Sequence, residues 1–146
     1  MNNNISIAIV VSSYHKKITD ELLRHCLEAL GKNGVGKNKV IVVWVPGSLE
    51  IPLVAKKLAK QGIYSAIIAL GVIHKGETYH FELVANECAR GCMNVSIQYE
   101  VPIIFEVLAV YNLEDARVRA TRKKENRGVE AALTALRMIE LMREIS

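Results

Sequence analysis

The stretch SAIIALGVIHKGETYHFELVANECARG, residues 65–91, decides the fold. Its first third is apolar at consecutive positions, the pattern of a strand covered on both faces rather than one with a wet side. A polar knot, HKGETYH, follows, and then a segment that reads as a helix, predicted over residues 78–98. The same succession occurs upstream. ISIAIVV (5–11) leads into ITDELLRHCLEALGKNG (18–34), where Ile18, Leu22, Leu23, Cys26, Leu27 and Leu30 recur at helical spacing and Gly31 and Gly34 are the expected stop. KVIVVWV (39–45) leads into PGSLEIPLVAKKLAKQG (46–62), a helix whose Pro52 fits only in the first turn, where its missing N–H is not needed. VPIIFEVLAV (101–110) is the fourth strand, followed by a basic helix, LEDARVRATRK (113–123), and a long last one, RGVEAALTALRMIELMREI (127–145). Doubly apolar strands alternating with helices predict a single α/β domain over residues 1–146. It is a three-layer sandwich with a four-stranded, mainly parallel sheet between helices.

Composition agrees with one ordinary globular domain. A chain of 146 residues buries roughly two thirds of its unfolded surface. The content of 51% hydrophobic and 23% charged residues excludes a disordered or fibrous chain. No apolar run is long enough to span a bilayer, and the opening MNNNISIAIV lacks the basic and apolar regions of a leader. The expected location is therefore cytoplasmic, with no membrane partner. Cys26, Cys88 and Cys92 have no disulfide-framework spacing and no further metal ligands near them in sequence, so buried thiols are expected and no metal site. The net charge of +4 is concentrated between Arg117 and Arg127. With only 5% aromatic residues and no nucleic-acid motif, that run reads as a solvated helix end, and no nucleic-acid partner is expected.

GKNGVGKN (31–38) imitates part of a P-loop. Asn38 stands where the motif needs Ser or Thr, and the segment leaves a helix for a strand, the reverse of a P-loop's context. It is a helix stop and a loop.

In a parallel sheet, ligands bind beyond the carboxyl ends of the strands. Here those ends carry SSYH (12–15), PGSLE (46–50), VIHKGETYH (72–80) and the stretch after Phe105. Gly76, Glu77 and Thr78 precede a helix, so their backbone N–H groups lie at the positive end of its dipole, an anion seat to which Lys75 adds charge. The same residue types also make a turn and an N-cap. His80 falls in the first turn of that helix, and histidine titrates near neutrality, so it is the candidate general acid and base. Tyr14 can stack on a planar ring, while Ser48 and Glu50 can hold hydroxyl or amide groups or cap their own helix. His15, His25 and Trp44 read as structural or solvated.

With these segments in place, the chain resembles the lumazine synthase family, which makes the penultimate intermediate of riboflavin biosynthesis. VPGSLEIPLVAKKLA is similar to the family's VPGAFEIP, GVIHKGETYHFELVANECARG to VIRGETPHFEYVANE, and ENRGVEAALTALRMIEL to NKGAEAALAALEM. The likeness runs from the first strand to the last helix. It implies condensation of 5-amino-6-(D-ribitylamino)uracil with 3,4-dihydroxy-2-butanone 4-phosphate, without metal or redox cofactor. It also implies His80 as the proton-transfer group and Glu77 and Thr78 as the phosphate seat, with Arg119 reaching the phosphate from a neighbouring subunit. Tyr14 is implied to stack on the pyrimidine. Ser48, Leu49, Glu50, Val72, Ile73 and His74 would hold the uracil and its ribityl chain, and Phe105 would cover the ring across the interface.

The resemblance further implies a homopentamer with sites shared between subunits, with decamers or icosahedral shells as higher forms. Several positions depart from the family pattern. Tyr14 and His15 replace Phe and Asn, Leu49 a Phe, His74 an apolar residue, Lys75 an Arg and Arg127 a Lys. Glu106 replaces a Gly, and Ala109 with Val110 a Thr pair, changes expected at the pyrimidine end. A lumazine- or flavin-binding paralogue without turnover is the alternative reading.

Overall fold

A computed structural model describes residues 4–146; Met1, Asn2 and Asn3, the first residues of the stretch MNNNISIAIV, lie outside them. Among the described residues four strands and five helices follow in order, strand and helix alternating until two helices close the chain: β1 (Ile7–Ser12), α1 (Lys16–Lys32), β2 (Val40–Val45), α2 (Ile51–Lys60), β3 (Ala66–His74), α3 (His80–Tyr99), β4 (Ile103–Val110), α4 (Leu113–Thr121) and α5 (Arg127–Glu144). Single 3₁₀ turns occupy Lys37–Lys39 and Ser48–Glu50. The sheet is parallel throughout, in the order β2-β1-β3-β4. From β1 the chain steps one way to β2, and from β3 the other way to β4. The crevice between β1 and β3 is therefore where such a sheet receives a ligand.

The consecutive apolar residues of the central strands serve two cores. Ile7, Ile9 and Val11 of β1, with Ile68, Leu70 and Val72 of β3, pack on one face against residues of α1, α4 and α5. The intervening Ala8, Val10, Ile67, Ala69 and Ile73 pack on the other face against α2 and α3. β1 is buried along its whole length, whereas the edge strands β2 and β4 are only partly covered. Helices approach closely where glycine permits it. A Cβ on Gly91 would meet the Pro52 ring at 2.6 Å, and one on Gly128 would strike the Leu22 carbonyl across the α1–α5 contact.

Three boundaries differ from the sequence expectation. α1 begins at Lys16, before its first apolar residue, and continues through Gly31; Gly34, at φ 88°, takes the left-handed turn. α2 begins at Ile51, after a 3₁₀ turn at Ser48–Glu50, rather than at Pro46, and Pro52 stands in its first turn as expected. α3 begins at His80, not Thr78. Asn126, nearly fully buried, joins the last two helices. Its Oδ1 accepts from Val129 N at 3.1 Å, while its Nδ2 donates to the Ala120 and Arg122 carbonyls at 3.1 and 3.0 Å. Cys26, Cys88 and Cys92 are buried free thiols, and burial pushes Cys26 up to about 12. Among the described residues no helix is long and apolar enough to cross a membrane.

Candidate active site

The loop leaving β1 is sewn to the loop leaving β2. Ser13 N donates to the Val45 carbonyl at 2.8 Å and Tyr14 N to that of Pro46 at 3.1 Å, which sets Tyr14 and His15 beside Ser48, Leu49 and Glu50. His15 then starts α1 with left-handed dihedrals, φ 59° and ψ 46°, and its carbonyl accepts from Ile18 N and Thr19 N at 3.0 and 3.1 Å. On the other side of the crevice, Lys75 N donates to the Val110 carbonyl at 2.9 Å, fixing the exit of β3 against the end of β4. The Lys75 ammonium lies 3.5 Å from Glu82 Oε1 and 5.3 Å from the Tyr111 ring centre.

These segments enclose an open cavity of about 420 Å³, within the range of small-molecule sites. Tyr14, Ser48, Leu49 and Glu50 form one wall; Val72, Ile73 and His74 form the floor at the end of β3; Thr78 and His80 stand at the start of α3. Thus nine of the residues expected from the sequence share one cavity. The first turn of α3 opens on it. Tyr79 occupies the N-cap position without a side-chain cap, and Thr78 Oγ1 accepts from His80 N at 3.4 Å. A helix start of this kind presents N–H groups and a positive dipole end to an anion.

Beneath the floor, Gly71 must lack a side chain. A Cβ there would lie 2.7 Å from Ser48 Oγ and 3.0 Å from Ser12 Oγ. Both hydroxyls are buried and, among the described residues, have no hydrogen-bond partner.

The remaining expected residues do not reach this cavity. Glu77 is exposed, between the lining residues Gly76 and Thr78. Phe105 is 39% exposed on the edge strand β4, and Arg119 donates from Nη1 to the Asp115 carbonyl on its own helix at 3.0 Å. Glu106 corrects an expectation: it does not line the cavity. Its neighbours at alternate positions, Ile104 and Leu108, pack into the core against α1, α4 and α5, so its carboxyl faces that side of the sheet. Burial there raises it to about 7, against a lowering by Arg127 and a further rise from Glu130.

The sequence reading also passed over His15, which lines the cavity rather than sitting apart from it, and over Gly47, Phe81 and Val84. The adjacency of His15 to Tyr14 after a strand was the available signal. Burial, then the nearby His74, lowers His15 below the usual histidine range.

Residues 4–143 match the family model described as 6,7-dimethyl-8-ribityllumazine synthase. A relative of that name from Coxiella burnetii (strain CbuG_Q212) is 43% identical over 143 residues, covering 98% of this chain and 95% of the relative. Another of that name, from Ruthia magnifica subsp. Calyptogena magnifica, is 44% identical over 153 residues, covering 99% and 92%. A match along nearly the whole chain accounts at once for the sheet, the cavity and the residues gathered around it: the chain belongs to the 6,7-dimethyl-8-ribityllumazine synthase family.

Proposed function

We propose that this chain condenses 5-amino-6-(D-ribitylamino)uracil with 3,4-dihydroxy-2-butanone 4-phosphate to form 6,7-dimethyl-8-ribityllumazine, releasing phosphate and water, as a transferase of riboflavin biosynthesis. One observation supports the reading above the others. A single cavity has an uncapped helix start with Thr78 and His80 at one side and the ring- and hydroxyl-binding groups Tyr14, Ser48 and Glu50 at the other. A bisubstrate condensation needs that side-by-side arrangement; a carrier needs only the second half of it.

The ester phosphate docks on the N–H groups at the start of α3, beside Glu77 and Thr78. The uracil stacks on Tyr14, and it and its ribityl chain are held by Ser48, Leu49 and Glu50 on one side and by Val72, Ile73 and His74 on the other. The uracil's 5-amino group attacks the ketone and loses water as an imine. Loss of the proton on the hydroxyl-bearing carbon then expels phosphate and leaves an enol, which tautomerises to a ketone; the ribityl-bearing nitrogen closes the second ring on that new carbonyl, expelling water. His80 carries protons between the nitrogen and oxygen atoms at these steps. Holding both reactants in register contributes roughly 7–11 kcal/mol, whereas one acid–base group contributes about 10²–10⁴ in rate. Positioning is therefore the larger share.

Phe105 and Arg119 act on a neighbouring copy's cavity, Phe105 over the ring and Arg119 on the phosphate, in a cytoplasmic homopentamer. Their placement outside their own chain's cavity supports this arrangement. The test is direct: mix the purified protein with both substrates and follow the absorbance and fluorescence of the lumazine. Product accumulation in proportion to protein is expected, and binding of either substrate without any product would refute the catalytic reading.

A further inference from the structure

Two imidazoles face each other at the ring-binding side of the cavity. The centroids of His15 and His74 are 6.3 Å apart, with the rings inclined at 76°, edge to face. Both line the cavity, and among the described residues neither imidazole has a side-chain hydrogen bond. His15 is held there by a left-handed backbone that non-glycine residues rarely adopt, and such outliers gather where a side chain must be aimed. The Tyr14 ring packs against His15 at 4.6 Å between centroids, tilted by 60°. The two histidines therefore adjoin the surface on which a planar ring would lie, with their ring nitrogens unclaimed by the protein.

We infer that His15 and His74 together grip the polar edge of the heterocyclic substrate, and that this grip holds only while His15 is uncharged. The inference rests on the function proposed above. A neutral imidazole offers one donor and one acceptor, matching a uracil edge on which N–H and C=O groups alternate; an imidazolium offers donors only. A ring seated over His15 removes water from it, and desolvation penalises the charged form, so binding and protonation oppose each other.

The other titratable groups around His15 leave this sign intact. His74, from β3, opposes a second positive charge. Lys16, the next residue along, is drawn aside, its ammonium 3.0 Å from Asp20 and 4.5 Å from the centre of the Trp44 ring. Tyr14 adjoins His15 on the same loop, Glu50 approaches from the loop after β2, and His80 lines the cavity from α3. Glu50 is the one acidic group on that wall, and it is exposed.

The probe is 6-(D-ribitylamino)uracil, which lacks the reacting 5-amino group and so binds without turnover. Its Kd is measured calorimetrically between pH 7.5 and pH 5.5, beside that of inorganic phosphate, for the wild type, His15→Asn, His74→Asn and the double variant. In the wild type the Kd of the ribityl pyrimidine rises on acidification, by less than the roughly tenfold that an ordinary histidine would give, as linkage to one lowered histidine requires. His15→Asn flattens that rise, His74→Asn weakens binding at every pH while keeping the rise because His15 still titrates, the double variant is both weak and flat, and the pH dependence of phosphate binding is the same in all four proteins. A wild-type Kd indifferent to pH, a rise that survives His15→Asn, or unchanged affinity in His74→Asn overturns the inference while leaving the proposed function standing. Absence of ribityl-pyrimidine binding at every pH overturns the proposed function itself, and the inference with it.

Discussion

The two rims of the cavity are built differently. At the β3–α3 rim, Thr78, His80 and His74 converge within one chain, on the end of a buried central strand and the first turn of a 20-residue helix. At the β4–α4 rim, Phe105 is exposed on an edge strand, and Arg119 is tethered to its own helix and does not line this cavity. Central strands place their side chains through neighbours on both sides, while an edge strand leaves its outer groups to whatever meets it. The first rim is complete within one chain, and in the proposed assembly the second supplies groups to another copy.

The largest effect should come from the complete rim. His80→Ala is expected to lower kcat by about 10²–10⁴ with modest change in KM, and turnover should stay measurable because positioning is untouched. Steady-state kinetics with each substrate varied in turn distinguishes this from a binding defect. At the incomplete rim, Arg119→Ala removes a charged hydrogen-bond donor and should raise the KM for the phosphate substrate about tenfold to a hundredfold. The KM for the ribityl pyrimidine should change far less; equal increases in both would mean that Arg119 supports the fold rather than the phosphate.

The smallest effect concerns stability along β4. Glu106 is raised to about 7 in the folded chain from an ordinary value of 4.5, so the native state holds its proton more tightly than the unfolded state does. The stability it contributes is fully present below about pH 4.5 and is lost as the pH climbs to about 7, at most about 3 kcal/mol and less once solvent screening of this partly covered carboxyl is counted. Glu106→Gln should lose less stability over that interval, as measured by urea melts at pH 5 and pH 8. Identical pH dependence in both proteins would place the carboxyl in water.

The contrast between the rims also governs what the sequence could reveal. The β1 and β3 runs were legible because a strand covered on both faces needs apolar residues at every position, and their ends located the cavity. The start of α1 was not. Lys16 and Lys17 are polar, so apolar periodicity begins only at Ile18, and the left-handed His15 is set by the loop's hydrogen bonds to the end of β2 rather than by its neighbours in sequence. That is also why His15 read as solvated although it lines the site. Thr78 looked like the first helical residue because it is a natural cap, yet Tyr79 takes the cap position. Glu106 follows Phe105 in sequence, but alternation along the strand sends it to the opposite face, a distinction that the register of β4 on β3 makes plain.

Shared construction of the site is most directly tested by mixing two crippled chains. His80→Ala keeps Arg119, and Arg119→Ala keeps His80, so co-assembly in equal amounts should create intact sites wherever a chain with His80 meets a neighbour with Arg119. With random assembly around a closed ring, about one quarter of the sites are intact. Activity at low phosphate-substrate concentration should then rise well above the mean of the two parents, towards that fraction of the wild type. A mixture of demonstrated hetero-oligomers that performs no better than the mean of its parents would contradict the account.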